Sequence, residues 1–369
     1  MYSAFLIRYC DQDECLYHFL LEISHQKRHA IHSSPSYGLP TYIQLPMERS
    51  MTQATSIPTH HAQAPETITI GCDVMGGHGQ HWAMLSDDPN RDIPLWLQLA
   101  VDDAALPQGL HQSDAAMPKQ HWLIQGPQRA IHITQIIDID EHEHPLGLRN
   151  AYPSLDSPHF RPVKIHRVLT CPDSQDAVLN LETTDGITIH AFDSLYAINA
   201  PLYQKDQVYS ACFSAWAYGL ERVGMHEELL VDDPAAIRHH RALNAILAEN
   251  GGVAPDDLQA RLDAWQPANS DDEAPVTLDL SKMAAYLFGE TFGQEDEAWF
   301  QGEIIGAQTV EFMQRPIDLF DVVILREQHT QPFVIRLAYA NRSENKQHFQ
   351  VGAYIRGNIW MQVAIHVTT

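Results

Sequence analysis

The chain has 369 residues, 44% hydrophobic and 19% charged, with a formal net charge of −24. That length can bury a substantial core and divide into two or three domains, and no apolar run approaches the roughly 18 residues of a membrane span. The acidic balance, with only six lysines, opposes binding to nucleic acid or anionic lipid, because such binding rests on Lys and Arg displacing counterions.

Residues 1–65 are crowded with Ser, His, Tyr and Pro and show no sustained period, so they are expected to be disordered or a mis-assigned start. Met47-Glu48-Arg49-Ser50-Met51 points to the second reading: Glu-Arg-Ser can be encoded by a purine-rich, ribosome-binding-like sequence, which makes Met51 the expected start. The apolar stretch Cys15 to Ile23 lacks a basic flank and a small-residue cleavage site, so it does not read as a signal peptide.

Residues 66–150 read as an N-terminal β-rich subdomain. Strands are predicted at Thr67–Ile70, His81–Leu85, Ile93–Val101, His121–Gln125 and Ala130–Asp140, with Gly76-Gly77-His78-Gly79 as a hairpin turn. No GxxxxGK[ST] or GxGxxG pattern accompanies those glycines, so no cofactor is expected. Ala151 to Arg161 carries prolines and little periodicity, and reads as a linker.

Residues 161–221 and 300–369 share one pattern about 145 residues apart. Val163, Ile165, Leu179, Leu181, Ile187, Tyr209 and Trp216 in the first echo Ile304, Val322, Ile324, Ile335, Leu337, Tyr354 and Trp360 in the second. An internal duplication of a β-module follows from this echo. In the first copy, Thr184-Asp185-Gly186 marks a hairpin turn. Tyr209, Phe213, Trp216, Tyr218, Tyr354 and Trp360 are expected to pack in the modules' cores; the competing reading is a set of base-stacking platforms.

Between the modules, residues 225–295 change period from two to 3.6 and form an acidic helical insert. Asp233-Pro234 starts one helix, stopped by Gly251-Gly252; Pro255–Trp265 and Asp279–Phe288 suit two more. Residues 222–299 hold 16 acidic and 5 basic side chains, whereas residues 300–369 hold six of each.

The last strand, Val351-Gly352-Ala353-Tyr354-Ile355-Arg356-Gly357-Asn358-Ile359-Trp360, alternates with glycines placed where a strand bends. It resembles strands of OB-fold barrels, although Ala353 stands where such strands often carry an acid. The resemblance implies small coiled β-barrels. The expected fold class is therefore mainly β with a helical insert (α+β): two OB-like modules and an N-terminal β-rich subdomain.

No catalytic residue emerges from the chemistry-bearing motifs. Asp138-Ile139-Asp140-Glu141-His142-Glu143-His144 would, as a continuing strand, put its carboxylates and imidazoles on one face, making Asp140, His142 and His144 candidate metal ligands. The plainer reading is a solvated strand end, since Pro145 follows at once. His60-His61, His78, His81 and His239-His240 lack the HExxH spacing. Ser210, Cys212 and Ser214 have no assignable base, and no GxSxG elbow occurs.

Setting aside Cys10 and Cys15 leaves three widely spaced cysteines and no CxxC, so reduced thiols and a cytoplasmic location are expected. Arg336, Arg342 and Arg356 are the candidate ligand-binding cations of the second module. The function expected is that of a non-catalytic accessory or inhibitory protein with a basic protein partner, no membrane and no nucleic acid. An OB-type nucleic-acid binder and a metal-dependent hydrolase are the alternatives. Nothing in the chain specifies an oligomeric state.

Overall fold

The computed structural model describes residues 63–69, 78–107, 121–127, 129–171, 175–251, 254–255, 257–267, 274–288, 295–326, 331–342 and 348–366, with short segments at 10–11 and 14–15. The Met51 start, the paired glycines 76–77 and most of the loop before residue 121 lie outside them. Among the described residues no helix is long and apolar enough to cross a membrane. The fold is mainly β.

In chain order, β1 (Glu66–Thr69) leads to a 3-10 helix (His78–Met84) and α1 (Pro89–Val101). The antiparallel strands β2 (His121–Gly126), β3 (Ile131–Ile139) and β4 (Pro145–Leu155) form a three-stranded sheet. Then come β5 (Phe160–Thr170), β6 (Ala177–Thr183), β7 (Thr188–Asp193), the single turn α2 (Tyr196–Asn199) and the long β8 (Val208–Arg222). The insert supplies β9 (Glu228–Val231), α3 (Pro234–Glu249), α4 (Leu258–Ala264), β10 (Val276–Asp279) and β11 (Ala285–Phe288). β12 (Glu297–Phe312), β13 (Arg315–Leu325), β14 (Phe333–Tyr339) and β15 (Tyr354–His366) complete the chain.

Ten strands form one sheet in the order β11-β12-β13-β14-β8-β15-β7-β6-β5-β1, with extra pairings β12–β15 and β8–β5. Those extra ladders close two circuits. The first runs β5-β6-β7-β15-β8 and back to β5; the second runs β12-β13-β14-β8-β15 and back to β12. Both use β8 and β15, whose antiparallel ladder places Trp216 opposite Trp360. Each circuit contains one parallel joint, β7 to β15 in the first and β14 to β8 in the second.

The shared ladder has two differently employed faces, as strand alternation requires. Tyr209, Phe213, Met361 and Val363 join Ile165, Leu179, Ile304 and Ile335 in the large core of the sheet. Trp216 and Trp360 face the other way. They are buried with Trp82, Trp96, Leu123 and Ile133 of the N-terminal unit, so these two rings are core residues at the seam and not inside the circuits.

That seam is pinned by polar contacts. Arg315 donates to Leu85 O (2.8 Å) and to Asp92 (2.5 Å), with its guanidinium 5.0 Å over the Trp96 ring. Tyr152 donates to Ser194 O and Gln362 to Pro153 O.

Several predicted elements form as expected. Asp233 accepts from the Ala236 N–H (2.8 Å) at the start of α3, and Gly251, at φ +67°, follows its end. Gly186 closes the β6–β7 hairpin at φ +86°, a conformation that glycine adopts without a Cβ penalty.

Four expectations are corrected. Residues 93–101 are helix: Trp96, Leu97 and Ala100 are buried on one side of α1, and Asp88-Pro89 is the same start signal as Asp233-Pro234. Pro94 lies inside that helix. His81–Met84 lies in the 3-10 helix. Residues 151–155 continue β4 instead of a linker; β4 is the edge of its sheet, where Pro153 leaves no inner ladder unpaired.

The predicted third helix at 279–288 is instead the end of β10, a turn and β11. β11 pairs with β12, and Gln301 Nε2 donates to Leu280 O and Met283 O. A short apolar run carries no decisive period, so the neighbouring strand decides its conformation.

Candidate functional site

The region with the strongest interface character lies where the shared ladder meets the insert. Ile304 donates its N–H to Ala353 O and accepts from Gly352 N–H, so Ile305 and Val351 flank one backbone exchange. Val223 N–H donates to Tyr354 O, which brings the Gly224-Met225 corner to the same strand end. Met225 is 86% exposed, Val351 61% and Ile305 45%. Ile305 is the extra residue at the β12 bulge, which turns it outward. Beyond Met225, Glu228 and Leu230 project on the exposed side of β9, and Asp232 follows.

Ion pairs stiffen the base of this surface. Arg356 bridges Glu227 and, at 3.5 Å, Glu221; Arg326 bonds Glu303 and donates to Tyr354 Oη (2.8 Å). The insert itself packs through two small apolar clusters. Ile237, Leu278 and Met283 form one, and Leu243, Ile246 and Leu262 the other.

The sequence-predicted residues fall elsewhere or are occupied. Arg336 is bonded to Asp321 (2.9 and 3.1 Å), and Asp321 also receives His159. Arg342 pairs with Asp87 (2.6 Å) and donates to Ala83 O, fastening the 3-10 helix. With Arg356 also paired, the three arginines are structural cations and form no shared open basic face.

β3 stops at Ile139, so Asp140, His142 and His144 sit in an exposed turn and not along one strand face. Asp140 Oδ1 accepts from the N–H groups of both His142 and His144, and Oδ2 lies 3.2 Å from His144 Nδ1. Those backbone bonds, that of His144 first, hold the Asp140 carboxyl below its ordinary range. The carboxylate thus organises its own turn. Among the described residues no group of three or more His, Cys, Asp and Glu is placed to hold a metal.

Three polar constellations escaped sequence reasoning. At the tryptophan seam, His81 stacks on Trp360 (centroids 4.0 Å) and its Nδ1 lies 2.8 Å from Tyr218 Oη, which in turn donates to Glu297. Beside them Trp360 Nε1 donates to Asp296 Oδ2 (2.7 Å). Asp296 is fully buried, and burial pushes its carboxyl up to about 7. Asp193, equally buried, is also raised to about 7 by burial, against the bonds from Tyr203 Oη and Leu195 N–H.

Cys212 Sγ lies 3.5 Å from His366 Nε2, a base 154 residues distant that no local motif announces. Burial pushes the thiol up to about 12, so the pair holds a neutral thiol and not an activated nucleophile. Cys171, by contrast, is disulfide-bonded, which corrects the expectation of reduced thiols throughout. The third constellation is a pocket on the three-stranded sheet, lined by Gln125, Arg129, His132 and Asp156.

Comparison with known proteins returned no match among family models, curated proteins or solved structures.

Proposed function

We propose that this chain is a non-catalytic protein-binding module of accessory or inhibitory type, built on two small OB-like barrels related by internal duplication. The two closed strand circuits, each with the same antiparallel and parallel joints in the same chain order, support the barrel and duplication readings. In this reading β8 and β15 are the shared staves, and the interaction surface is the strand end carrying Met225, Ile305 and Val351.

The observation that carries the binding function is the presence of those exposed apolar side chains on neighbouring strand ends, with Glu228 and Asp232 of the insert exposed and in no ion pair among the described residues. Soluble surfaces rarely collect large apolar groups without a partner to cover them. An apolar centre with an acidic rim suits a basic, amphipathic protein surface: the rim steers encounter and the centre supplies affinity. The paired state of Arg336, Arg342 and Arg356 argues for this partner over nucleic acid.

Affinity capture with the tagged chain tests the proposal. Met225→Glu with Val351→Glu should abolish recovery of a specific partner, and Glu228→Lys with Asp232→Lys should weaken it in a salt-sensitive manner. Equal recovery by all forms would sink the reading.

A further inference from the structure

Past the exposed Ile305, β12 runs on as a sheet edge. Residues 297–303 carry β15 on one side, and Ile304 closes that ladder through Ala353 and Gly352; β13 pairs with the other side from Glu303 to Phe312. From Ile305 onward no described strand joins β12 on the side that β15 leaves. Ile305, Ala307, Gln308, Thr309 and Glu311 are all exposed there. Val310 and Phe312, on the face toward the N-terminal unit, pack with its core and hold the strand in place.

The hairpin turn fixes which backbone groups point outward. Met313 and Gln314, at φ +49° and +61°, form a two-residue type I′ turn, so Phe312 and Arg315 exchange both ladder hydrogen bonds. Alternation from that pair turns the N–H and C=O groups of Val310, Gln308 and Gly306 toward β13, and those of Glu311, Thr309 and Ala307 outward. The other end of the strand gives the same phase: Ile304 bonds toward β15, and the one extra residue at the Ile305 bulge brings Gly306 back to β13. Pro316, opposite Glu311, stands where the ladder needs no N–H. Three residues thus present three donors and three acceptors over about 14 Å of edge.

Native sheets blunt an exposed edge with lysine, proline or inward-pointing charge. Residues 305–312, Ile-Gly-Ala-Gln-Thr-Val-Glu-Phe, hold no lysine, arginine or proline. The charge beside them is acidic: Glu311 lies on the edge and Asp318 opposite Thr309, whose Oγ1 donates to it (2.7 Å), and neither acid meets a Lys or Arg among the described residues. A second copy would bring the same acids and a further net charge of −24 against this edge, which disfavours self-pairing. We infer that the outer edge of β12 takes an extended, lysine- or arginine-bearing segment of a partner protein as an added strand. Main-chain bonds to Ala307, Thr309 and Glu311 hold the segment, and its basic side chains meet Glu311 and Asp318. The inference rests on the protein-binding role proposed above and names how the partner is held; Ile305 makes the edge continuous with the corner of Met225 and Val351.

The probe is a labelled heptapeptide alternating lysine and valine, capped at both ends and titrated against the full chain by fluorescence anisotropy. It should bind, whereas the same peptide N-methylated at its three central residues, and a counterpart with glutamate for lysine, should each bind about tenfold or more weakly. Residue-resolved hydrogen exchange should find the Ala307, Thr309 and Glu311 amides fast in the free chain and slowed by the peptide, with Gln308 and Val310 slow in both states. Thr309→Pro removes an outward N–H and no ladder bond, so it should weaken binding about tenfold while the chain still melts cooperatively; if it does not fold, the exchange pattern of the parent decides. Met225→Glu with Val351→Glu separates the two readings. Binding lost in that double variant but kept in Thr309→Pro overturns strand addition and leaves the apolar surface standing; the reverse pattern supports strand addition and counts against the apolar surface. No binding at millimolar peptide, equal binding of the N-methylated form, or unchanged exchange at the three amides would also overturn the inference. So would a concentration-dependent dimer abolished by Thr309→Pro, which assigns the edge to a second copy.

Discussion

Asp296→Asn isolates the thermodynamic effect of one buried carboxyl. Asp296 is fully buried just before β12; Oδ2 accepts from Trp360, while Oδ1 has no hydrogen-bond partner among the described residues. Burial moves the group from 3.8 to about 7. A carboxyl raised in this way favours the fold when protonated. Its contribution is complete below about pH 4 and is lost as pH rises through about 7, because the unfolded chain ionises first.

Each tenfold change in a protonation equilibrium is worth about 1.36 kcal/mol, so ionisation costs the fold about 4 kcal/mol at pH 8 and about 1.5 kcal/mol at pH 5. Asparagine keeps an oxygen for Trp360 and does not titrate. Its amide adds an unpartnered donor, whose cost of roughly 1–3 kcal/mol is the same at every pH. Urea unfolding of both forms at pH 5, 6, 7 and 8 should show the variant gaining about 2–3 kcal/mol on the parent from pH 5 to pH 8. The slope is the readout, and Asp193 titrates identically in both forms. A difference that stays constant with pH would refute the reasoning, whatever its sign.

Asp92 behaves oppositely: its bond with Arg91, aided by Ser86 and Arg315, lowers its carboxyl to about 2. That stability is present above about pH 4 and is lost as pH falls toward 2, so Asp92→Asn should lower the melting temperature at pH 7 and hardly change it at pH 2. Gly357→Ala should destabilise the chain by about 2 kcal/mol or more in denaturant titration, because a Cβ there would drive into the Gly219 carbonyl oxygen. Gly147→Ala, with open space at its Cβ, is the neutral control. Reductant should lower stability by about 2–4 kcal/mol through the Cys171 disulfide, and a melting curve unmoved by reductant would exclude a contribution from that bond.

Local rules carried a good part of the fold. The Asp233-Pro234 start, the Gly251 stop and the Thr184-Asp185-Gly186 hairpin are formed by groups adjacent in the chain, and the structure has all three. The apolar alternation of β5 to β8 and β12 to β15 likewise predicts strands because period two is a property of the strand itself. Alternation does not say which side a strand's second face will find. Tyr209 and Phe213 turn into the sheet's main core, whereas Trp216, three residues beyond Phe213 on the same strand, faces the N-terminal unit.

The candidate sites were much less legible. Arg336 and Arg356 read as available cations until β13 and the start of the insert placed Asp321 and Glu227 against them. Asp140, His142 and His144 read as strand neighbours until the strand ended at Ile139 and Asp140 bonded its own turn. His81, Tyr218 and Glu297 share no motif at all; they meet because a 3-10 helix packs across two distant strands.

By itself the sequence determined the β-rich class and the acidic composition of the insert. These depend on composition, periodicity and nearest-neighbour backbone preferences. Tertiary structure alone decided that β7 pairs with β15 and β14 with β8, joining strands from before and after the insert in one sheet. It also decided which charges are neutralised, as Asp321 neutralises Arg336 and Glu227 neutralises Arg356. The physical reason is common to both: strand pairing and ion pairing are chosen among partners remote along the chain, and the sequence contains the partners without their distances.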